Sequence, residues 1–148
     1  MAVQFLEDFS AGMTFRSGSA TIAANEIKRF AAEFDPQPFH LDDAAARETM
    51  FGGLAASGWH TAAITMKLIV TSEFKPAAGI IGAGFDELRW PRPVRPGDEL
   101  HVEGEVLETR PSRSNPRQGL LKVRLSTINQ RGEAVQVSVG NLIVPRRK

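Results

Sequence analysis

The sequence predicts an α+β fold: a single domain over residues 1–148 in which a curved antiparallel sheet wraps a long buried helix. Three observations carry that expectation. Trp59 to Val70 is apolar on almost every side, as befits a helix enclosed by protein. The second half of the chain alternates apolar and polar residues at period two, the pattern of strands with one wet face. One such helix, with at least four later strands and one earlier, can cover its apolar surface as a helix layer on a sheet layer.

The elements follow in order. Met13 to Ile22 is short and loosely alternating and predicts a first strand. Ile27, Phe30, Ala31 and Phe34 fall at the i, i+3, i+4, i+7 spacing of an amphipathic helix, with Lys28, Arg29 and Glu33 turned away. Its stripe ends where Asp35 opens a loop stiffened by Pro36 and Pro38, each of which fixes its own φ and pushes the preceding residue out of the helical region. Asp42 predicts the N-cap of a short helix through Glu48, with Asp43 in its first turn. Phe51-Gly52-Gly53-Leu54 predicts a glycine turn. Ser57 then caps the apolar helix, expected to run to about Phe74 ahead of Pro76 and to measure roughly 25 Å.

Gly79 to Trp90 predicts a strand ended by Pro91, Pro93 and Pro96. From Glu99 to Glu108, Leu100, Val102, Gly104 and Val106 face one way and His101, Glu103 and Glu105 the other. Leu121, Val123 and Leu125 form the inward row of the next strand, and Val135, Val137 and Val139 that of the last, which places Gln136 and Ser138 toward solvent. Gln130-Arg131-Gly132-Glu133 joins these two as a hairpin, and Pro111 to Gly119 is a polar loop.

Composition narrows the function. A chain of 148 residues is one ordinary domain, and a net charge of +1 gives no reason to expect nucleic acid or an anionic membrane surface. With no cysteine, the chemistry falls to oxygen and imidazole. Met1 to Phe9 carries Glu7 and Asp8 and lacks a secretory pattern, and the Trp59 to Val70 run, interrupted by Lys67, is well short of the roughly 20 residues a membrane span needs. A cytoplasmic location is expected.

Asp35-Pro36-Gln37-Pro38-Phe39-His40, followed by Gly52-Gly53-Leu54-Ala55-Ala56-Ser57-Gly58-Trp59, resembles the MaoC-like, R-specific enoyl-CoA hydratase family of hotdog proteins. That family carries Gly-Asp-x-Asn-Pro-x-His and opens its central helix with His-Gly or Ser-Gly. Phe34 stands here for the glycine and Gln37 for the asparagine. The resemblance runs from roughly Phe15 to Val144 and implies a hotdog fold, an Asp35 and His40 dyad, a homodimer or higher oligomer, and reversible hydration of a trans-2-enoyl-CoA to a (3R)-3-hydroxyacyl-CoA. The reaction needs a base to activate water at Cβ, an acid at Cα and a donor for enolate charge on the thioester oxygen. Asp35 is expected to activate water, His40 to shuttle the proton and the Gly58 N–H to meet the oxyanion. Gln37, Phe39, Gly53, Ser57 and Trp59 are expected to line the substrate site. No metal or redox cofactor is expected, the CoA thioester being the substrate. Arg89, Arg92, Arg95, Arg110, Arg113 and Arg117 are candidates for its phosphates.

Plainer roles fit some of these residues. An Asp-Pro and a histidine can serve turn chemistry alone. His60 suits packing in the helix, His101 a solvated strand face, Trp59 and Trp90 core or interface, Met50 and Met66 gap filling, and Arg146-Arg147-Lys148 a frayed tail. Two other functions suit the fold: a hotdog thioesterase, which wants a carboxylate on a central helix that here has no acid between Gly58 and Ser72, and a non-catalytic acyl-binding or dimerisation module.

Overall fold

Alternation along the second half of the chain becomes four of the five strands of one antiparallel sheet in the computed structural model, which describes residues 2–148. Met1, the start of the segment read for a secretory pattern, lies outside the described residues. The strands are β1 (Thr14–Thr21), β2 (Ile81–Arg89), β3 (Glu99–Pro111), β4 (Gln118–Ile128) and β5 (Ala134–Pro145), in the order β1-β3-β4-β5-β2. Among the described residues four α-helices precede β2: α1 (Ala24–Phe34), α2 (Pro38–Leu41), α3 (Asp43–Arg47) and α4 (Gly58–Val70). α4 packs on β1, β3 and β5 and lays Leu68 and Ile69 among Leu100, Val102, Val106, Leu121 and Val123. This is the expected hotdog arrangement, a sheet carrying one central helix.

Irregularities tune the sheet. In β1 the register slips between Arg16 and Ser19, and the buried Ser17 hydroxyl accepts the Val102 N–H at 2.8 Å, replacing a ladder bond. At the start of β5, Thr127 pairs with Gln136 while its neighbour Ile128 pairs with Ala134, so Val135 is an extra residue. Val135 itself stays in the core, but the bulge turns Val137 and Val139 to the other face from the inward row expected of them. Gln136, Ser138, Gly140 and Leu142 pair across from Thr127, Leu125, Val123 and Leu121 and face α4, and Gln136 is only 3% exposed.

The helices also depart from expectation. α4 stops at Val70 rather than near Phe74, because Thr71 and Ser72 turn their hydroxyls onto the Lys67 and Ile69 carbonyls; its 13 residues span about 20 Å. Nor is it enclosed on every side, since Trp59, Met66 and Val70 are 59%, 45% and 42% exposed. They form an apolar face together with Phe85 of the edge strand β2, whose partner Gly140 also faces α4. Phe34 leaves the core and leans on Phe30 at 5.0 Å, and Met50 fills no gap but is almost fully exposed. Two of the three C-terminal basic residues expected to fray are tied down: Arg146 pairs with Glu7 at 3.0 Å, and Arg147 meets Asp8 and covers the Phe5 ring. Among the described residues no helix is long and apolar enough to cross a membrane.

Candidate active site

The acid and the imidazole come together. Asp35 ends α1 in a non-helical conformation, as its position before proline requires. Two residues on, the chain re-enters a helical turn: Pro38 occupies the first helical position, where its missing N–H is no loss, and α2 carries His40. The expected proline loop is thus a single-turn helix at its His end. His40 is buried, and its Nε2 lies 3.3 Å from Asp35 Oδ2.

The other ring nitrogen fixes the tautomer. His40 Nδ1 lies 2.6 Å from the Ala55 carbonyl, which can only accept, so Nδ1 carries the hydrogen. In the neutral ring Nε2 then turns a lone pair toward the carboxylate, and a molecule that donates two hydrogens, such as water, satisfies both. The Ala55 N–H in turn gives to the Phe39 carbonyl at 3.1 Å, completing a two-bond clasp between α2 and the segment ahead of α4.

Asp35 is held as a carboxylate. Burial pushes its pKa up, but hydrogen bonds from Gln37 and Ser57 and the neighbouring His40 ring outweigh that and lower it below the usual aspartate value. Gln37 donates through Nε2 to Oδ1, so the longer amide in place of asparagine still serves the acid. Ser57, fully buried, accepts the Trp59 N–H at 3.2 Å and caps α4 as expected.

A cleft of about 540 Å³ opens at the His40 side of the dyad, walled by His40, Phe51, Gly58, Thr61, Trp90 and Arg95 among others, while Asp35, Gln37 and Ser57 stand behind its wall. The Gly58 N–H, in the first turn of α4, has no acceptor among the described residues. The room left by its missing side chain is taken by Trp90, whose ring would lie 2.7 Å from a Cβ there. Glycine at this position therefore admits an indole.

The other expected site residues divide. Phe39 packs edge-on against His40 at 4.6 Å, the Gly53 carbonyl is occupied by Arg95, and Trp59 faces a separate hollow, so none of the three walls the cleft. Arg95 donates to the Gly53, Leu54 and Phe51 carbonyls, the first two at 2.9 and 3.3 Å, and so holds the glycine turn instead of a phosphate. Arg92 is on the cleft wall and pairs with Glu133 at 3.4 Å. Arg89 and Arg110 pair with Glu87 and Glu108, and Arg113 and Arg117 sit in the loop at the far end of β3 from the cleft. His60 is buried in a stack on Phe30 at 4.6 Å, and its Nδ1 has no partner among the described residues. His101 bonds Glu103 at 2.8 Å on the strand's outer face. Sequence reasoning missed Thr61 and the Ala55 carbonyl and gave Arg95 and Trp90 other roles, because they reach the site through contacts distant in sequence. Among the described residues no three His, Asp or Glu side chains gather as a metal-binding set.

Comparison with known proteins bears on the family and the fold. The model of the MaoC like domain matches residues 8–128. The solved MaoC-like dehydratase from Rhodospirillum rubrum superposes with a TM-score of 0.94 at 58% identity, covering 98% of this chain and 99% of that one. An uncharacterized protein of Bacillus subtilis, YdeM, is 39% identical over 94% of this chain and 96% of its own length. The 3-hydroxybutyryl-CoA dehydratase of Methylorubrum extorquens is 31% identical over 79% of this chain and 73% of its own.

Proposed function

The chain belongs to the MaoC-like domain family, and from that premise we propose that it is a hydratase/dehydratase of acyl-CoA thioesters, adding water reversibly to a trans-2-enoyl-CoA to give a (3R)-3-hydroxyacyl-CoA. The observation that carries the reading is the Asp35 and His40 pair, 3.3 Å apart, with Nδ1 already committed to Ala55. A water between them gives one hydrogen to Oδ2 and the other to Nε2. As its oxygen bonds to Cβ, Asp35 takes one proton and passes it to His40, and Cα collects it, so the dyad ends as it began. Charge gathered meanwhile on the thioester oxygen is met by the Gly58 N–H and the positive end of α4. No metal or redox group enters this scheme, and Arg92 is the arginine best placed for a CoA phosphate.

The working unit in this reading is a homodimer. The exposed apolar face of Trp59, Met66, Val70 and Phe85 includes an edge strand, the combination that a second copy would cover. A thioesterase lacks its expected carboxylate, since α4 contains no acid. Incubation with crotonyl-CoA, followed by loss of the conjugated double bond and chiral analysis of the product, tests the proposal. Asp35→Asn and His40→Ala are expected to lower kcat by about 10²–10⁴-fold. Unchanged rates in both variants, or CoA release without hydration, would reject it.

A further inference from the structure

Two hollows adjoin the first turns of α4. The cleft at the dyad is walled by Gly58, Thr61 and Trp90, and a smaller hollow of about 140 Å³ between α4 and the sheet is walled by Trp59, Thr65, Gln136 and Leu142. Thr61 and Thr65 lie one turn apart on the same helix face, so the hollows are neighbours along the helix axis. The Trp90 indole stands between them. It presses on Gly58, meets Trp59 edge-on at 5.3 Å and donates its Nε1–H to Gln136 Oε1 at 2.9 Å.

Gln136 is an amide buried in a mainly apolar hollow, a placement that is unfavourable unless its polar atoms are bonded. Its Nε2 donates to Thr65 Oγ1 at 3.4 Å, and that hydroxyl meets Thr127 Oγ1 at 2.6 Å. The remaining end, Oε1, takes its hydrogen from Trp90. Swinging the indole away strands that oxygen, so the amide holds the ring in place.

We propose that Trp90 and Gln136 form a gate that sets the length of acyl chain admitted, an inference that rests on the acyl-thioester reading above. With the indole seated, the cleft accepts short acyl groups. A longer chain reaches the smaller hollow by displacing the ring. Trp90 touches the acyl group, whereas Gln136 acts through Trp90 and is a positioning residue.

The test compares the full-length protein with Trp90→Ala, Trp90→Phe and Gln136→Leu. Two ratios are read: kcat/KM for 2-octenoyl-CoA over crotonyl-CoA, and calorimetric affinity for octanoyl-CoA over butyryl-CoA, which are saturated and not hydrated. Both ratios are expected to rise about tenfold or more in Trp90→Ala and by roughly threefold in Trp90→Phe and Gln136→Leu, which unlatch the ring or its replacement. In a Trp59→Phe background, where Trp90 is the remaining tryptophan, Gln136→Leu is also expected to shift its emission. A merely structural Gln136 would weaken both chain lengths alike and leave the ratios where they were. Ratios within about twofold of the parent in Trp90→Ala and Gln136→Leu overturn the gate, as does failure of Trp90→Ala to bind octanoyl-CoA. A parent that hydrates neither enoyl-CoA, with variants that still shift the affinity ratio, loses the hydratase reading and keeps the gate. A parent that hydrates crotonyl-CoA with fixed ratios does the reverse.

Discussion

Replacing Arg95 by methionine separates the scaffold of the site from its chemistry. The guanidinium bonds the carbonyls of Phe51, Gly53 and Leu54, and the next carbonyl along, that of Ala55, accepts the His40 ring hydrogen. A hydrogen bond from a charged donor contributes about 1.5–3 kcal/mol net. Arg95 is partly exposed and its Leu54 contact is long at 3.3 Å, so screening reduces the total loss to about 2 kcal/mol. For a domain of this size that lowers the melting temperature by about 4–8 °C. Loosening the turn also lets Ala55 and His40 drift, and misplacement on the order of 1 Å lowers kcat by about ten- to a hundredfold with a smaller effect on KM. Thermal melts and crotonyl-CoA kinetics measure both. Arg95→Lys is expected to rescue little, because one ammonium cannot span carbonyls that a planar fork reaches together. A lowered melting temperature with unchanged kcat would show that the turn does not position His40; an unchanged melting temperature would show that water replaces the guanidinium at no loss.

Three further outcomes are expected. Burial lowers the His60 pKa, the Arg29 charge adding to this and Glu26 opposing it, so the unfolded chain takes up a proton at a higher pH than the folded one. Stability should therefore fall as pH drops below 6.5 and level off under the lowered folded value; His60→Phe, which keeps a ring on Phe30, should lose that slope in urea melts at about pH 7.5 and pH 5.5, and an identical slope in both proteins refutes the assignment. Gly58→Ala brings a methyl to 2.7 Å from the Trp90 ring and should destabilise the protein by about 1–3 kcal/mol, checked by denaturant melts, with full stability disproving the contact. Phe85→Glu puts a charge on the exposed apolar face and should convert a dimer to monomers in sedimentation, whereas an unchanged mass would place the subunit contact elsewhere.

What could be read from sequence was what neighbours in sequence decide. The stripe of α1 as far as Ala31, the Asp42 cap on Ala45 and the Ser57 cap on Trp59 depend on residues a few positions apart, and each formed where expected. The Asp35 to His40 spacing belongs to this class as well, because a short segment carries both groups. Misreadings arose where distant contacts or single residues intervened. Pro38 was taken as a stiff break although at a first helical position it starts a turn. Arg95 looked like a phosphate ligand because its carbonyl partners lie some forty residues earlier. Gly58 was read for its N–H, and the indole that fills the space of its missing side chain went unseen because it comes from the far side of β2. The apolar breadth of α4 suggested enclosure by its own sheet, whereas part of that surface remains open in a single copy.

Val135 has an influence out of proportion to its size. Because it is accommodated as an added unit in the ladder, every later side chain of β5 is shifted by half a pleat relative to a regular hairpin. Paired without the bulge, the same residues would set Val135, Val137 and Val139 across from Thr127, Leu125 and Val123, beneath the helix in place of Gln136, Ser138 and Gly140, filling with branched hydrocarbon a void that serine and glycine now keep empty. The interior space of this protein is thus a matter of phase: one amino acid, far from the dyad in sequence, decides whether the strand behind it encloses a chamber or a solid wall.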